Sequence, residues 1–191
     1  MQVQFIKQKM ERLIFREEQS FRQSFVPWIL LPAWLLTFGM FSFGMYHQLY
    51  LGKPYGDNPM SNNGLIWSGI ASIAIVTAVS VFVLSGHLVT EIWSDGIRYK
   101  FPPLILKVKH IPLAEISSAE VSKYNPIGEF GGWGWRKRFI SRKTAYNISG
   151  NIGLRVILKD GRQILFGTKK QDDMKRAIDK MLQRNTDKYF V

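Results

Sequence analysis

Between Pro59 and Gly86 the chain carries no Asp, Glu, Lys or Arg, and that gap limits the available folds more than any other feature. Inside it "LIWSGIASIAIVTAVSVFVL", Leu65 to Leu84, runs for 20 residues without a charge, and upstream "VPWILLPAWLLTFGMFSFGMY", Val26 to Tyr46, does so for 21. At 1.5 Å per residue the longer run reaches about 31 Å, the thickness of a bilayer hydrocarbon core. Each predicts a transmembrane helix, with Trp28, Tyr46, Tyr50 and Trp67 as ring anchors at headgroup level. The alternative, a pair of buried helices in a soluble protein, asks too much apolar length of a 191-residue chain. Pro27 suits a helix start, whereas Pro32 predicts a bend near Leu31 or a later start. Ser68, Ser72, Ala74 and Ala78 make two small-xxx-small pairs that would let the helices approach closely. A cleaved signal peptide fits poorly, because 25 residues with three acids precede the first run and no small-residue cleavage site follows it.

Basic residues set the expected orientation. Lys7, Lys9, Arg12, Arg16 and Arg22 precede the first run, and Arg98, Lys100, Lys107 and Lys109 follow the second. The segment between the runs holds only Lys53, opposed by Asp57. The positive-inside rule therefore places both termini in the cytoplasm of a multi-pass protein of the cell (inner) membrane. Three parts follow: a cytoplasmic amphipathic segment, 1–25; a transmembrane hairpin, 26–86, with an external loop at 47–64; and a cytoplasmic domain, 87–191. In the first, Ile6, Met10, Leu13, Phe21 and Phe25 stand at helical spacing, broken at Glu17 and Glu18, which predicts a short amphipathic helix.

Beyond His87 the pattern becomes short alternating runs. "LVTEIW" and "IRYKF" flank Asp95-Gly96, and "LRVILK" and "RQILFG" flank Asp160-Gly161, two hairpin signatures. "ILKVKHI" and "ISSAEVSKY" read as further strands, jointed by Pro102, Pro103, Pro112 and Pro126. A last helix is predicted with Thr168 as N-cap, Gln171 completing a capping box, and Met174, Ala177, Ile178, Met181 and Leu182 along one face. Six or seven antiparallel strands and one closing helix form the layout of a pleckstrin-homology-like split barrel, giving an α+β membrane protein. With "FREEQSFRQ", "DGIRYKFPP", "YNPIGEFGGWGWR" and "AYNISGNIGLRVILKDGRQILFGTKK", the chain resembles small bacterial two-helix membrane proteins that carry a C-terminal PH-like domain. The resemblance implies that fold and membrane anchoring. It supplies no catalytic residue.

The stretch "GEFGGWGWRKRFISRK", Gly128 to Lys143, gathers the candidate site. Its glycines predict a shaped loop or a bulged strand. If extended, it would put Trp133 and Trp135 on one face and Gly134 and Arg136 on the other. Arg136, Lys137, Arg138, Arg142 and Lys143 would then form an anionic-ligand or lipid-binding site beside the tryptophans. The competing reading has the tryptophans filling core and the cations keeping a cytoplasmic edge soluble.

Other chemistry finds little support. The net charge of +12 attracts nucleic acid and anionic lipid alike, but no nucleic-acid-binding motif accompanies it, so nucleic acid is the disfavoured partner. Without cysteine there is no thiolate nucleophile or thiolate metal site, and His47, His87 and His110 fall in separate elements. Asp172 and Asp173 suit the first turn of a helix, and "GEFGGWG" lacks the context of a phosphate loop. No metal, cofactor or catalytic set is expected. The sequence thus points to a non-enzymatic integral membrane protein whose domain binds anionic lipid headgroups or a protein partner. The alternative is a structural or regulatory subunit of a larger membrane transport or signalling complex.

Overall fold

In the computed structural model of the chain, residues 12–138 and 142–187 are described. The charge-free runs form two helices, α1 (Val26–Met45) and α2 (Asn62–Leu84), each long and apolar enough to cross a membrane. α1 begins at Val26 rather than at Pro32, which lies inside the helix. A wider helical turn, Tyr46–Tyr50, prolongs it, so the link between the helices is residues 51–61, shorter than the expected loop. Ser61 caps α2 by accepting the Gly64 N–H at 3.2 Å. The Gln48 amide donates to Met60 O at 2.7 Å and to Asn62 Oδ1 at 2.9 Å, which closes the link upon itself.

The helices meet where side chains are smallest. Gly69 is buried, and a Cβ there would lie 2.7 Å from Met45 Cε. Gly44 is covered in the same way by the ring of Tyr55, and Trp34 Nε1 donates to Thr77 Oγ1 at 2.9 Å. Of the expected small pairs, Ser68 and Ser72 are half-buried but Ala74 and Ala78 are exposed. The second pair therefore takes no part in the contact, because Gly69 and the positions one and two turns from it define the packed face.

A second compact unit joins the residues up to Gln23 to those from Gly86 onward. Here the expectation for the N-terminal segment is corrected. Leu13–Ser20 is a strand, β1, paired antiparallel with β2 (His87–Trp93) from Ser20 opposite His87 to Leu13 opposite Trp93. Ile6 and Met10 lie outside the described residues. Phe15, Glu17 and Gln19 alternate as the buried positions, and tertiary partners bond the two polar ones. The Glu17 carboxylate accepts the Thr168 hydroxyl at 2.6 Å and the Lys169 N–H at 2.8 Å, while Gln19 Nε2 donates to Gly167 O at 2.7 Å. A strand ladder with these bonds overrides the helical spacing of the neighbouring apolar residues.

β3 (Gly96–Phe101) and β4 (Ile105–Pro112) complete a four-stranded sheet in the order β1-β2-β3-β4. The second sheet holds β5 (Ile116–Lys123), β6 (Gly134–Arg138), β7 (Lys143–Asn147), β8 (Ile152–Leu158) and β9 (Gln163–Gly167) in the order β5-β8-β9-β7-β6. Both expected hairpins, β2-β3 and β8-β9, are present, the second turning through Gly161 at φ +84°. The arrangement departs from an all-antiparallel one, since β7 and β9 run parallel. β8 pairs with β5 and β9, so β9 returns beside β7 in the same direction.

A short helix, α3 (Pro126–Phe130), precedes β6, and α4 (Gln171–Asp187) packs on β1, β2, β5 and β8. Met174, Ala177, Ile178 and Met181 of α4 are buried as their spacing predicts. They close over a core that includes Phe15, Ile92, Ile97, Phe101, Leu154 and Phe166. Thr168 is not the N-cap, because the helix begins at Gln171. Its hydroxyl accepts the Lys170 N–H at 2.9 Å and donates to Glu17, fixing the approach to the helix instead.

Candidate functional site

The tryptophan-arginine stretch does not extend as one ribbon. Gly134, at φ +104°, breaks it between the two indoles. Trp133, ahead of the break, is tied into the loop, its Nε1 donating to Gly150 O at 2.9 Å and its carbonyl accepting Arg136 Nε at 3.1 Å. The Gly134 N–H donates to Oδ1 of the buried Asn147 at 2.8 Å, and Asn147 Nδ2 donates to the Tyr124 hydroxyl at 2.9 Å.

β6 then runs along the edge of the five-stranded sheet, with Trp135 opposite Tyr146, Arg136 opposite Ala145, Lys137 opposite Thr144 and Arg138 opposite Lys143. Tyr146 belongs to the main core, whereas Ala145 belongs to a separate cluster with Tyr124, Phe130 and Leu165 on the other face. The expected division is corrected accordingly. Trp135 shares its face with Lys137, Arg136 and Arg138 lie on the other, and Trp133 belongs to neither. Arg142 precedes β7 at φ +49°, and with Lys137, Arg138 and Arg162 it borders a shallow cavity of about 280 Å³ that also holds Asp160.

The inward face of β6 leads to a feature that sequence reading missed. α4 packs against β1 and β5, one edge strand from each sheet, while the other two edges, β4 and β6, flank a cleft of about 750 Å³. Its walls include Ile105, Lys107 and Lys109 of β4 and Trp135 and Lys137 of β6. Its floor is aromatic and aliphatic, with Tyr99 and Tyr146 at 4.9 Å between ring centroids, and Ile164 beside them. Arg162, paired with Asp160 at 2.6 Å, and Glu115 complete its charged rim.

β4 is patterned against expectation. Register places Ile111 opposite Ile97 and Lys109 opposite Tyr99, then shifts so that Ile105 stands opposite Phe101 with Lys107 in the irregular stretch; between the two isoleucines Lys107 and Lys109 are exposed and border the cleft. Leu106 and Val108 are 73% and 60% exposed, and Leu106 also borders the cleft. The available signal was the pair of lysines two apart inside "ILKVKHI", although their spacing does not say that they border a cleft.

Burial pushes the Tyr146 phenol far above its ordinary range, and the neighbouring Tyr99 adds to the shift. Tyr146 therefore stays uncharged and lends the floor an apolar ring with a hydroxyl tip. Below β6, burial alone would raise the Glu129 carboxyl. The Asn125 N–H at 2.9 Å, the Arg155 guanidinium at 2.9 Å and the charge of Lys143 outweigh it and hold Glu129 below its ordinary 4.5. A depressed carboxyl contributes stability that is complete above its unfolded value and is lost as pH falls through its folded value. The Glu129→Gln variant is thus expected to show a flatter melting temperature between about pH 5 and pH 3, with a loss of about 1 kcal/mol or less at neutral pH. An acid limb as steep as that of the parent would show that the pair does not carry the effect.

The three histidines remain apart: His47 Nδ1 lies 3.1 Å from Lys53 O in the helical hairpin, His87 opens β2, and His110 Nε2 lies 3.4 Å from Asp95 Oδ2. Among the described residues no three His, Asp or Glu gather closely enough to hold a metal ion. Asp173, in the first turn of α4, pairs with Arg176. Compared with protein-family models, with curated protein sequences and with solved structures, the chain matches none.

Proposed function

We propose that the chain is a membrane-anchored binding protein: α1 and α2 cross the bilayer, and a cytoplasmic PH-like domain formed from both flanks of the hairpin engages anionic lipid headgroups. The observation that carries this reading is the apolar surface of the helices. Trp28, Leu36, Ile75 and Val81 are 78%, 74%, 63% and 63% exposed, and the most apolar stretches of the two helices are 0% and 6% buried. Water tolerates contiguous apolar patches of only a few hundred Å², whereas lipid favours such a surface.

The PH-like reading is supported by a four-stranded meander, a second sheet and a C-terminal helix packed over one edge of each. The parallel β7-β9 pair and the helices inserted between β1 and β2 are departures from the expected layout. Headgroup binding is supported by cations and apolar side chains lying together on β4 and β6, with Trp135, Arg136, Lys137, Arg138, Arg142 and Lys143 along one edge. The domain acts by binding and carries out no chemistry.

The full-length protein in nanodiscs tests this. Photoreactive phosphatidylglycerol is expected to crosslink at least several-fold more than photoreactive phosphatidylcholine, and the preference should shrink as salt rises. Equal crosslinking of the two lipids, with a stoichiometric protein partner recovered in mild detergent, would favour the alternative of a structural or regulatory subunit.

A further inference from the structure

We propose that the seam between β4 and β6 is the lipid site itself, taking one anionic phospholipid with its phosphate on Lys107, Lys109 and Lys137 and its apolar portion along the flank of β4. This rests on the preceding reading and locates it at residues outside the tryptophan-arginine stretch. The patterning of β4 favours such a ligand. A strand whose Lys107 and Lys109 border an aromatic-floored cleft while Leu106 and Val108 stand 73% and 60% exposed departs from the binary pattern of a half-buried strand. Lysines on an edge strand do block edge-to-edge pairing, but that purpose gains nothing from the exposed Leu106 and Val108. An amphiphile uses both: cations for the phosphate, and Leu104, Leu106 and Val108 for the chains.

The chemistry of the cleft suits an amphiphile too. Its floor of Tyr99, Tyr146 and Ile164 is too apolar for a free phosphate, and its lysines are out of place for a neutral lipid. Trp135, 42% exposed, stands at the wall as a ring with an apolar body and a polar edge, the kind of side chain that prefers a headgroup boundary.

The seam also lies close, within the domain, to the point where the chain leaves it and returns. Phe21 N–H donates to Gly86 O at 3.1 Å, so the chain leaves the domain and re-enters it at one point. His87 N–H donates to Pro102 O at 3.1 Å, and Phe101, paired with Ile105 at the start of β4, holds the Phe21 ring at 6.4 Å. A Cβ on Gly134, which opens β6, would lie 3.8 Å from the same ring. One end of the seam therefore lies beside Phe21, in the turn Phe21–Gln23, and two residues join that turn to α1 as two join α2 to β2. On the preceding reading these short links tether the seam to membrane-crossing helices, which keeps lipid at a high effective concentration.

The test uses the full-length protein in nanodiscs of phosphatidylcholine with a minor fraction of phosphatidylglycerol, reading the ratio of photoreactive phosphatidylglycerol to photoreactive phosphatidylcholine crosslinked and the peptides labelled. In the parent protein the label is expected on β4 and β6. Lys107→Gln with Lys109→Gln is expected to lower the ratio by about tenfold or more, since each lysine beside an anionic surface is worth a factor of about five. Lys123→Gln with Lys175→Gln removes the same charge at exposed positions elsewhere and is expected to leave the ratio within about twofold. Equal losses in the two variants would overturn the seam as a site while leaving a generally basic, lipid-facing domain. No preference in the parent protein would remove that reading as well. Competition by soluble glycerol phosphate as effective as that by phosphatidylglycerol would overturn the amphiphile and assign the lysines to a free phosphate.

Discussion

With Ser24–Ser85 replaced by a tight turn, the chain is expected to fold in water, whereas a chain starting at Gly86 is expected to aggregate. The contrast follows from β1, which precedes the apolar hairpin yet lies beside β2 on its far side. At the splice point the backbone ends already meet, with Ser20 opposite His87 and the Phe21 N–H 3.1 Å from Gly86 O, so a short connection closes the gap at little entropic cost. Removing β1 takes away Phe15, worth about 1.5–3 kcal/mol of burial. It also leaves the Thr168 hydroxyl and the Lys169 N–H without the Glu17 carboxylate and Gly167 O without the Gln19 amide, at roughly 1–3 kcal/mol for each buried group orphaned. β2 becomes an open edge besides. These losses together reach the 5–15 kcal/mol that holds an ordinary domain together. A cooperative thermal melt and a dispersed amide spectrum from the spliced chain, with neither from the truncated one, is the expected outcome. A truncated chain that melts as cooperatively and as high as the spliced one would show that β1 is not part of the folding unit.

The same strand shows why parts of the fold were readable and parts were not. The two membrane-length helices, the Asp-Gly hairpins and the apolar face of α4 are local patterns: a run of side chains, a turn dipeptide, a period of 3.6. β1 has none of these, because two of its three buried positions are Glu17 and Gln19, and only the partners near Thr168, some 150 residues away, make them acceptable inside. Leu13, Phe21 and Phe25 meanwhile imitate a helical stripe. The misreading of Thr168 has the same origin, since a hydroxyl that suits an N-cap is committed to Glu17 instead. In the candidate site, Gly134 divided the two tryptophans, a consequence of backbone angle that residue spacing does not carry. The lysines of β4 were visible as charges but not as the wall of a cleft, because that depends on how the edges of the two sheets come together.

Substituting Ile75→Arg and Val79→Arg together in α2 is expected to drive the protein out of the membrane fraction. Both side chains are outward on the helical hairpin, 63% and 51% exposed, one turn apart near the middle of the helix. On a hairpin surrounded by water, two arginines at such positions disturb no packing and improve solubility. On a hairpin surrounded by lipid, each costs about 2.5–3.5 kcal/mol at the helix centre, so the pair costs about 5–7 kcal/mol. The two environments therefore give opposite signs for the same change. After alkaline carbonate washing, the parent protein should remain in the pellet until detergent is added. The double variant should appear in the supernatant or be degraded, and Ile75→Leu with Val79→Leu should behave as the parent. A parent protein released by carbonate alone, or a double-arginine variant retained as firmly as the parent, would place the helices outside the bilayer. The seam between β4 and β6 would then lose its nearby source of lipid, since α1 and α2 begin and end two residues from the domain.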